Sequence, residues 1–324
     1  MDPPYFLREQ RGRAIVIIKP ATGRADDIDA LECILARDDL SGRQRREVEI
    51  ELKKVKAGVR GELEAAHHID DQYRGADNFA IIHDLRVEHE GEVAQIDHIV
   101  INLGLQIFVC ETKNFSSGLA CNEHGEWVGF RNGKPYGISS PILQNERHIR
   151  TLRRLLESKP DWLKTGYRDP FFESFVLVSN QARIGRPEKA SVEGLDRVVK
   201  IERFTKEVRK AMLGPVLGLK IVKLVAGMVS EETLRQFAEG LASEHRPIRF
   251  DYEAKFGLNP IAETQEITES TDTDPTTEAS QELPESDAVA NCDGCGAGVD
   301  KKVRWFCRRY KNRFDGKILC RDCQ

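Results

Sequence analysis

Residues 94–118, AQIDHIVINLGLQIFVCETKNFSSG, hold acids and a lysine at spacings that suit hydrolysis of a charged bond. Two apolar, β-branched runs flank Asn102-Leu-Gly104, the composition of two strands around a turn. Side chains alternate along a strand, so Glu111 and Lys113, two apart, share a face. In a hairpin symmetric about Gly104, Asp97 lies opposite Glu111, with Cβ atoms about 5 Å apart. Two carboxylates that close repel one another unless a proton or a cation lies between them, and hard oxygen ligands suit Mg²⁺ or Mn²⁺. A lysine beside them can orient water or stabilise phosphate charge. The trio therefore has the layout of metal-assisted phosphodiester hydrolysis. Alone, an E-x-K on one strand face is more often a surface ion pair contributing about 0 to 1 kcal/mol. The added residues are what raise it above that: Glu62 borders the apolar stripe of a preceding helix, and Gln144 and His148, at i and i+4, can face inward from a following one. Parity points His98 away from the Asp97 face, toward the core or the second face. His67 and His68 are assigned to a helix end, and His83, His89 and His124 to turns.

A second set of chemical residues closes the chain. Cys292-x-x-Cys295 and Cys320-x-x-Cys323 are separated by 24 residues. Two such pairs supply four thiolates for tetrahedral Zn²⁺, and so short a segment needs a staple to fold. With no open coordination position, the zinc is expected to be structural, and the segment resembles zinc-ribbon or treble-clef modules. Cys307 is a spare that can replace a ligand or pack as a small apolar group. Trp305, Phe306, Tyr310 and Phe314 alternate with Arg304, Arg308, Arg309, Lys311 and Arg313. They can stack on bases and contact phosphates, or form the module's small core.

The elements that must position these residues follow from periodicity. Val48, Leu52, Val55, Val59, Leu63 and Ala66 recur at three and four, predicting an amphipathic helix capped by Ser41. Strands are expected at 79–85, 93–101, 105–111, 119–122 and 127–130, with turns at Gly91, Gly104 and Asn132-Gly133. A helix from Pro141 carries Leu143, Ile149, Leu152 and Leu156, and strands follow at 175–178 and 197–201. A β-branched run at 14–18 and a short helix at 28–36 come first; residues 205–258 are helical in two or three pieces.

Gly61-Glu62, Ile96-Asp97-His98-Ile99-Val100-Ile101, Glu111-Thr112-Lys113-Asn114 with Gly118, and Pro141-Ile142-Leu143-Gln144 with His148 together resemble the NERD (nuclease-related) domain of the PD-(D/E)XK, restriction-endonuclease-like superfamily. The resemblance spans about residues 56 to 180, with no departure at these positions. It implies a restriction-endonuclease-like α/β fold, a mixed sheet flanked by helices, and Mg²⁺-dependent nuclease chemistry. By this likeness Asp97 and Glu111 are metal ligands, Lys113 the catalytic lysine, Glu62 an accessory acid and Gln144 a supporting residue.

The chain has 324 residues, 40% of them hydrophobic, which excludes disorder throughout and leaves room for one large or two ordinary domains. Its formal charge of -4 is unevenly spread: residues 259–290 hold nine acids and no base, and residues 291–324 nine bases and four acids. The expected organisation is an N-terminal extension (1–42), the nuclease-like domain (43–210), a helical remainder of the body (211–258), an acidic flexible linker (259–290) and the zinc module (291–324). The basic tail suits an anionic partner. No apolar run approaches the roughly 18 residues of a membrane helix, and the start lacks signal-peptide character, so a soluble, cytoplasmic protein is expected. The function expected is a Mg²⁺- or Mn²⁺-dependent nuclease, on DNA rather than RNA, in processing, repair or defence. Its alternative is a non-catalytic module that keeps the fold and binds nucleic acid or a protein partner.

Overall fold

The computed structural model describes residues 17–115, 117–131, 133–162, 169–188, 192–213, 228–258, 290–299, 317–320 and 323. The aromatic and basic residues named above for the tail, Cys307, residues 214–227 and nearly all of the acidic linker lie outside the described residues. The chain divides into two units, Met1–Ile261 and Ala262–Gln324.

In the first unit a short strand β1 (Ile17–Lys19) precedes helix α1 (Ala25–Leu35) and the long helix α2 (Gly42–Gln72). Ser41 caps α2 in a reciprocal box: its Oγ accepts from Gln44 N, and the Gln44 side chain accepts from Ser41 N. The helix buries two different faces. Val48, Val55 and Val59 pack against Leu31 and Ile34 of α1, whereas Ala65 and Ile69 pack against the sheet. Leu63, expected in one continuous stripe, falls between the two and is 41% exposed.

Strands β2 (Phe79–His89), β3 (Glu92–Asn102) and β4 (Gln106–Lys113) form consecutive antiparallel hairpins. Glu90 and Gly91, both at positive φ (49° and 79°), make the two-residue turn between the first pair, a twist that matches the flanking strands. In the second turn the positive φ belongs to Leu105 (53°) rather than Gly104, and the Asn102 side chain accepts from Gly104 N and Gln106 N. The pairs His98↔Cys110 and Ile101↔Ile107 establish the symmetry about Gly104 expected from the sequence. After β5 (Leu119–Cys121), β6 (Trp127–Arg131) and β7 (Lys134–Ile138), helix α3 (Pro141–Glu157) crosses over to β8 (Phe171–Val178), which lies parallel to β4. Strands β9 (Ile184–Gly185) and β10 (Val198–Lys200) and helices α4 (Phe204–Leu213), α5 (Glu231–Ser243) and α6 (Tyr252–Lys255) complete the unit.

Two mixed sheets result, β1-β2-β3-β4-β8-β10 and β7-β6-β5-β9. The second was not apparent from sequence as a separate sheet, because β7 is an exposed strand, KPYGI, without an apolar face. One face of the large sheet packs on α3 and α5 through Ile149, Leu152, Phe237 and Leu241, and the other on α2 and α4 through Ile69, Phe204 and Val208. On α3, Leu143 is exposed and its neighbour Ile142 is buried instead. Alternation breaks once on each of two paired strands. Ile82 and Leu85 of β2, and Ile96 and Ile99 of β3, lie in the same core cluster although each pair is three apart. The step falls at Asp84, at φ 51°, and at Asp97, between the register pairs His83↔His98 and Leu85↔Ile96. Such a break in the pleat frees side chains from the ladder and re-aims them.

In the second unit β11 (Ala290–Asn291) and β12 (Gly298–Val299) pair antiparallel, beside a small cluster of Cys292, Val299, Ile318, Leu319, Cys320 and Cys323.

Candidate functional site

Four elements bring the predicted acids, lysine and amide together. Glu111, on β4, is 4% exposed. Its Oε1 accepts from Lys113 Nζ at 2.6 Å and from Gln144 Nε2, on α3, at 2.8 Å. Lys113 Nζ also donates to Gln144 Oε1 at 3.0 Å. An ammonium only donates and a carboxylate only accepts, so the amide, able to do both, closes the set in one orientation. Gln144 is held there by its neighbour Asn145, whose buried Nδ2 donates to Val109 O, Ser174 Oγ and Phe175 O at 2.8, 3.0 and 3.1 Å. This pin of α3 onto β4 and β8 was missed from sequence; an asparagine among the apolar positions of α3 was its signal.

Asp97 sits where β3 parts from β4. The backbone ladder between them ends at His98↔Cys110, and beyond it the Asp97 side chain takes over, Oδ2 accepting from Thr112 N at 2.6 Å. Burial, then the Glu111 and Glu62 carboxylates, push the Asp97 pKa well above the usual range, against the pull of Thr112 N–H and Lys113. Glu62 comes from α2, which approaches closely because residue 61 is glycine: a Cβ there would lie 2.7 Å from Asn114 Cβ. Asn114 Nδ2 fastens the contact by donating to Ala57 O at 2.5 Å. Burial and then Asp84 raise the Glu62 pKa, with Arg24 opposing. Asp84, unforeseen from sequence, is itself tied to the N-terminal segment by Thr22 N and Oγ1 at 2.5 and 2.9 Å.

His148 reaches the same site. Its Nδ1 is 3.6 Å from Glu111 Oε2 and has no hydrogen-bond partner; burial lowers its pKa. His98, paired with Cys110, lies fully buried on the sheet face opposite Glu111, whereas His83 is a buried mid-strand residue of β2 rather than part of a turn.

Mutual repulsion among half-buried carboxylates is what a divalent cation relieves. Mg²⁺ commonly takes one or two protein carboxylates and completes its shell with water and phosphate oxygens. Asp97 and Glu111 fit that role. Among the described residues, three or more ligating side chains converge within 4.8 Å only at Cys292, Cys295, Cys320 and Cys323. There, Cys295 and Cys320 Sγ are 3.5 Å apart, close to the spacing of about 3.8 Å set by tetrahedral Zn–S bonds of about 2.3 Å. Cys292 Sγ accepts from Cys320 N at 3.1 Å and Gly294 N at 3.4 Å. These backbone donors, the one from Cys320 foremost, lower the Cys292 pKa to about 6, while donation to the other sulfurs raises that of Cys323 to about 12.

The family model of the nuclease-related domain, NERD, matches residues 57–179. The resemblance carried by the motifs holds over that stretch, from the second half of α2 through β8, and the stretch contains Glu62, Asp97, Glu111, Lys113 and Gln144. Comparison with curated proteins and with solved structures finds no match. The matched family is described as nuclease-related, and the match covers residues 57–179 alone. No described helix is long and apolar enough to cross a membrane.

Proposed function

We propose that the chain is a Mg²⁺- or Mn²⁺-dependent nuclease that hydrolyses phosphodiester bonds, in DNA rather than RNA, in the manner of the PD-(D/E)XK superfamily, acting in the cytoplasm in DNA processing, repair or defence. The observation that carries this reading is the closed Glu111–Lys113–Gln144 set beside Asp97. Asp97 and Glu111 would hold the cation, which when bound would supply water activation and charge neutralisation. Lys113, which donates to Glu111 Oε1, would orient the attacking water or balance phosphate charge. Gln144 keeps both partners in place, and Glu62 is the accessory acid at the border of the site. In the tail, Cys292, Cys295, Cys320 and Cys323 hold structural Zn²⁺, and the basic, aromatic segment between the pairs grips nucleic acid.

The test is cleavage of single-stranded, double-stranded and branched DNA and RNA with Mg²⁺ or Mn²⁺ against EDTA, comparing wild type with Asp97→Ala and Lys113→Ala. Metal-dependent cleavage lost in both variants supports the reading and names the substrate. Absence of cleavage, with salt-sensitive binding intact in all three proteins, identifies a non-catalytic nucleic-acid module instead.

A further inference from the structure

The sheet face away from Glu111 and Lys113 carries a polar chain that hydrolysis leaves unused. His83 and His98, opposite one another on β2 and β3, are both fully buried, with Nδ1 atoms 2.8 Å apart. His83 Nε2 lies 3.0 Å from Asp70 Oδ1 on α2. His98 Nε2 lies 3.0 Å from Thr112 Oγ1 on β4. The strands around them place Ile81, Val100, Phe108 and Cys110 in the core on this side. Two leucines would fill the layer without stripping water from four ring nitrogens, so the chain needs a reason beyond packing. All four nitrogens are partnered, which keeps its cost low.

With both imidazoles neutral, every role in the chain is fixed by elimination. The Asp70 carboxylate only accepts, so His83 donates from Nε2 and accepts at Nδ1. His98 then donates from Nδ1 and accepts at Nε2, and Thr112 must give it the hydroxyl proton. Thr112 is thereby gripped twice by consecutive residues of β3. Its hydroxyl bonds His98, and its backbone N–H bonds Asp97 Oδ2 at 2.6 Å. The grip falls where the backbone ladder between the strands has ended.

We propose that His98, backed by His83 and Asp70, is a positioning residue that fixes the Asp97 carboxylate through Thr112. The inference rests on the reading of Asp97 as a cation ligand. Outer partners that orient metal ligands commonly contribute 10- to 100-fold to metal affinity or activity, and this chain orients its ligand from behind the sheet.

The experiment uses the full chain supplied with Zn²⁺ and compares wild type, Thr112→Val, Thr112→Ser and His98→Leu. Thr112→Val replaces the hydroxyl by a methyl group and keeps the backbone N–H. Mn²⁺ affinity by electron paramagnetic resonance, hydrogen exchange of the residue-112 amide, and kcat against KM are read for each. Thr112→Val is expected to weaken Mn²⁺ binding about 10-fold, to speed amide exchange by a similar factor, and to lower kcat without changing KM. Thr112→Ser should restore all three, and His98→Leu, where it folds, should match Thr112→Val. Unchanged amide exchange and Mn²⁺ affinity in a folded Thr112→Val protein overturn the inference. Wild type that neither binds Mn²⁺ nor cleaves overturns the nuclease reading alone, and amide exchange then decides whether the grip on Asp97 exists.

Discussion

The acid site of the body and the thiol site of the tail face the same electrostatic problem and meet it differently. Each gathers groups that repel when all are ionised. In the body, Asp97 shares the site with Glu111 and Glu62, and an internal cation, Lys113 Nζ, sits 2.6 Å from Glu111. Helices and strands with large apolar clusters of their own fix these side chains. Among the described residues, the donors at the thiol site are backbone N–H groups and its own S–H groups, and the apolar cluster beside it contains two buried residues, Cys292 and Val299. On the proposed reading, the comparison teaches what a cation would do in each place. A site that stands without its ion could exchange it and use it as a reagent, whereas a site whose ion replaces a core would use it as a staple.

The largest effect that would break this contrast lies in the tail. Cys320→Ser removes one of four sulfurs, the one 3.5 Å from Cys295 Sγ, and keeps the backbone N–H that bonds Cys292. Zinc content by atomic emission is expected to fall from about one per chain to near zero after mild chelation, because structural zinc contributes on the order of 10 kcal/mol to folding such modules. The thermal transition of the body should not move. A body that melts earlier would mean that the two sites are not energetically separate.

Lys113→Ala sharpens the other side. Loss of a preorganised charge at the reacting centre costs roughly 10²–10³ in kcat. Yet Lys113 Nζ donates to Glu111 Oε1, an oxygen a cation would also use, so its removal should leave Mn²⁺ binding intact or strengthen it. Titration calorimetry beside a cleavage assay separates the two. Weaker Mn²⁺ binding in Lys113→Ala would assign the lysine to holding the site rather than to chemistry.

A smaller effect follows from pH. The folded pKa values of Asp97 and Glu62 are raised, so in the cation-free protein their protonation favours the folded state. Their contribution is full below the unfolded carboxylate range near 4 and is lost as pH rises through the elevated folded values. Asp97→Asn removes the charge at every pH and should therefore raise the metal-free melting temperature at neutral pH, by about 2–4 °C per kcal/mol gained in a body of this size. The gain should vanish at low pH, and calorimetry at several pH values measures it. With saturating Mn²⁺ the order should invert, since bound cation stabilises only the wild type.

Much of this site is legible in the sequence because it depends on local geometry. A hairpin whose register is set by one turn brings Asp97 to the end of the β3–β4 ladder, one residue beyond His98↔Cys110, and the Ser41 cap and the paired cysteines are local signals as well. What escapes the sequence is non-local. His83 and His98 form their chain only because β2 pairs with β3 in one register, and Asp84 lies across from Asp97 through a break in the pleat that no residue type announces. Asn145 looks like an ordinary helix polar residue until β4 and β8 supply its three acceptors. Leu63 fails as a stripe residue because α2 packs against α1 first and the sheet afterwards.

The smallest predicted effect tests how far the body's site depends on its frame. Gly61→Ala and Ser41→Ala both alter α2, twenty residues apart. Removing the Ser41 side chain forfeits a capping bond and should cost about 1 kcal/mol, with metal binding unchanged, since the cap lies at the far end of the helix from Glu62. Gly61→Ala is a better helix former by about 1 kcal/mol, but its Cβ would lie 2.7 Å from Asn114 Cβ. The helix or the end of β4 must then shift, at a cost of roughly 1–3 kcal/mol for an overpacked contact. The two substitutions are therefore expected to give similar urea midpoints, with cleavage lowered only in Gly61→Ala, where Glu62 moves with the helix. Equal cleavage in both would show that the site tolerates displacement of α2 and would remove Glu62 from its working set.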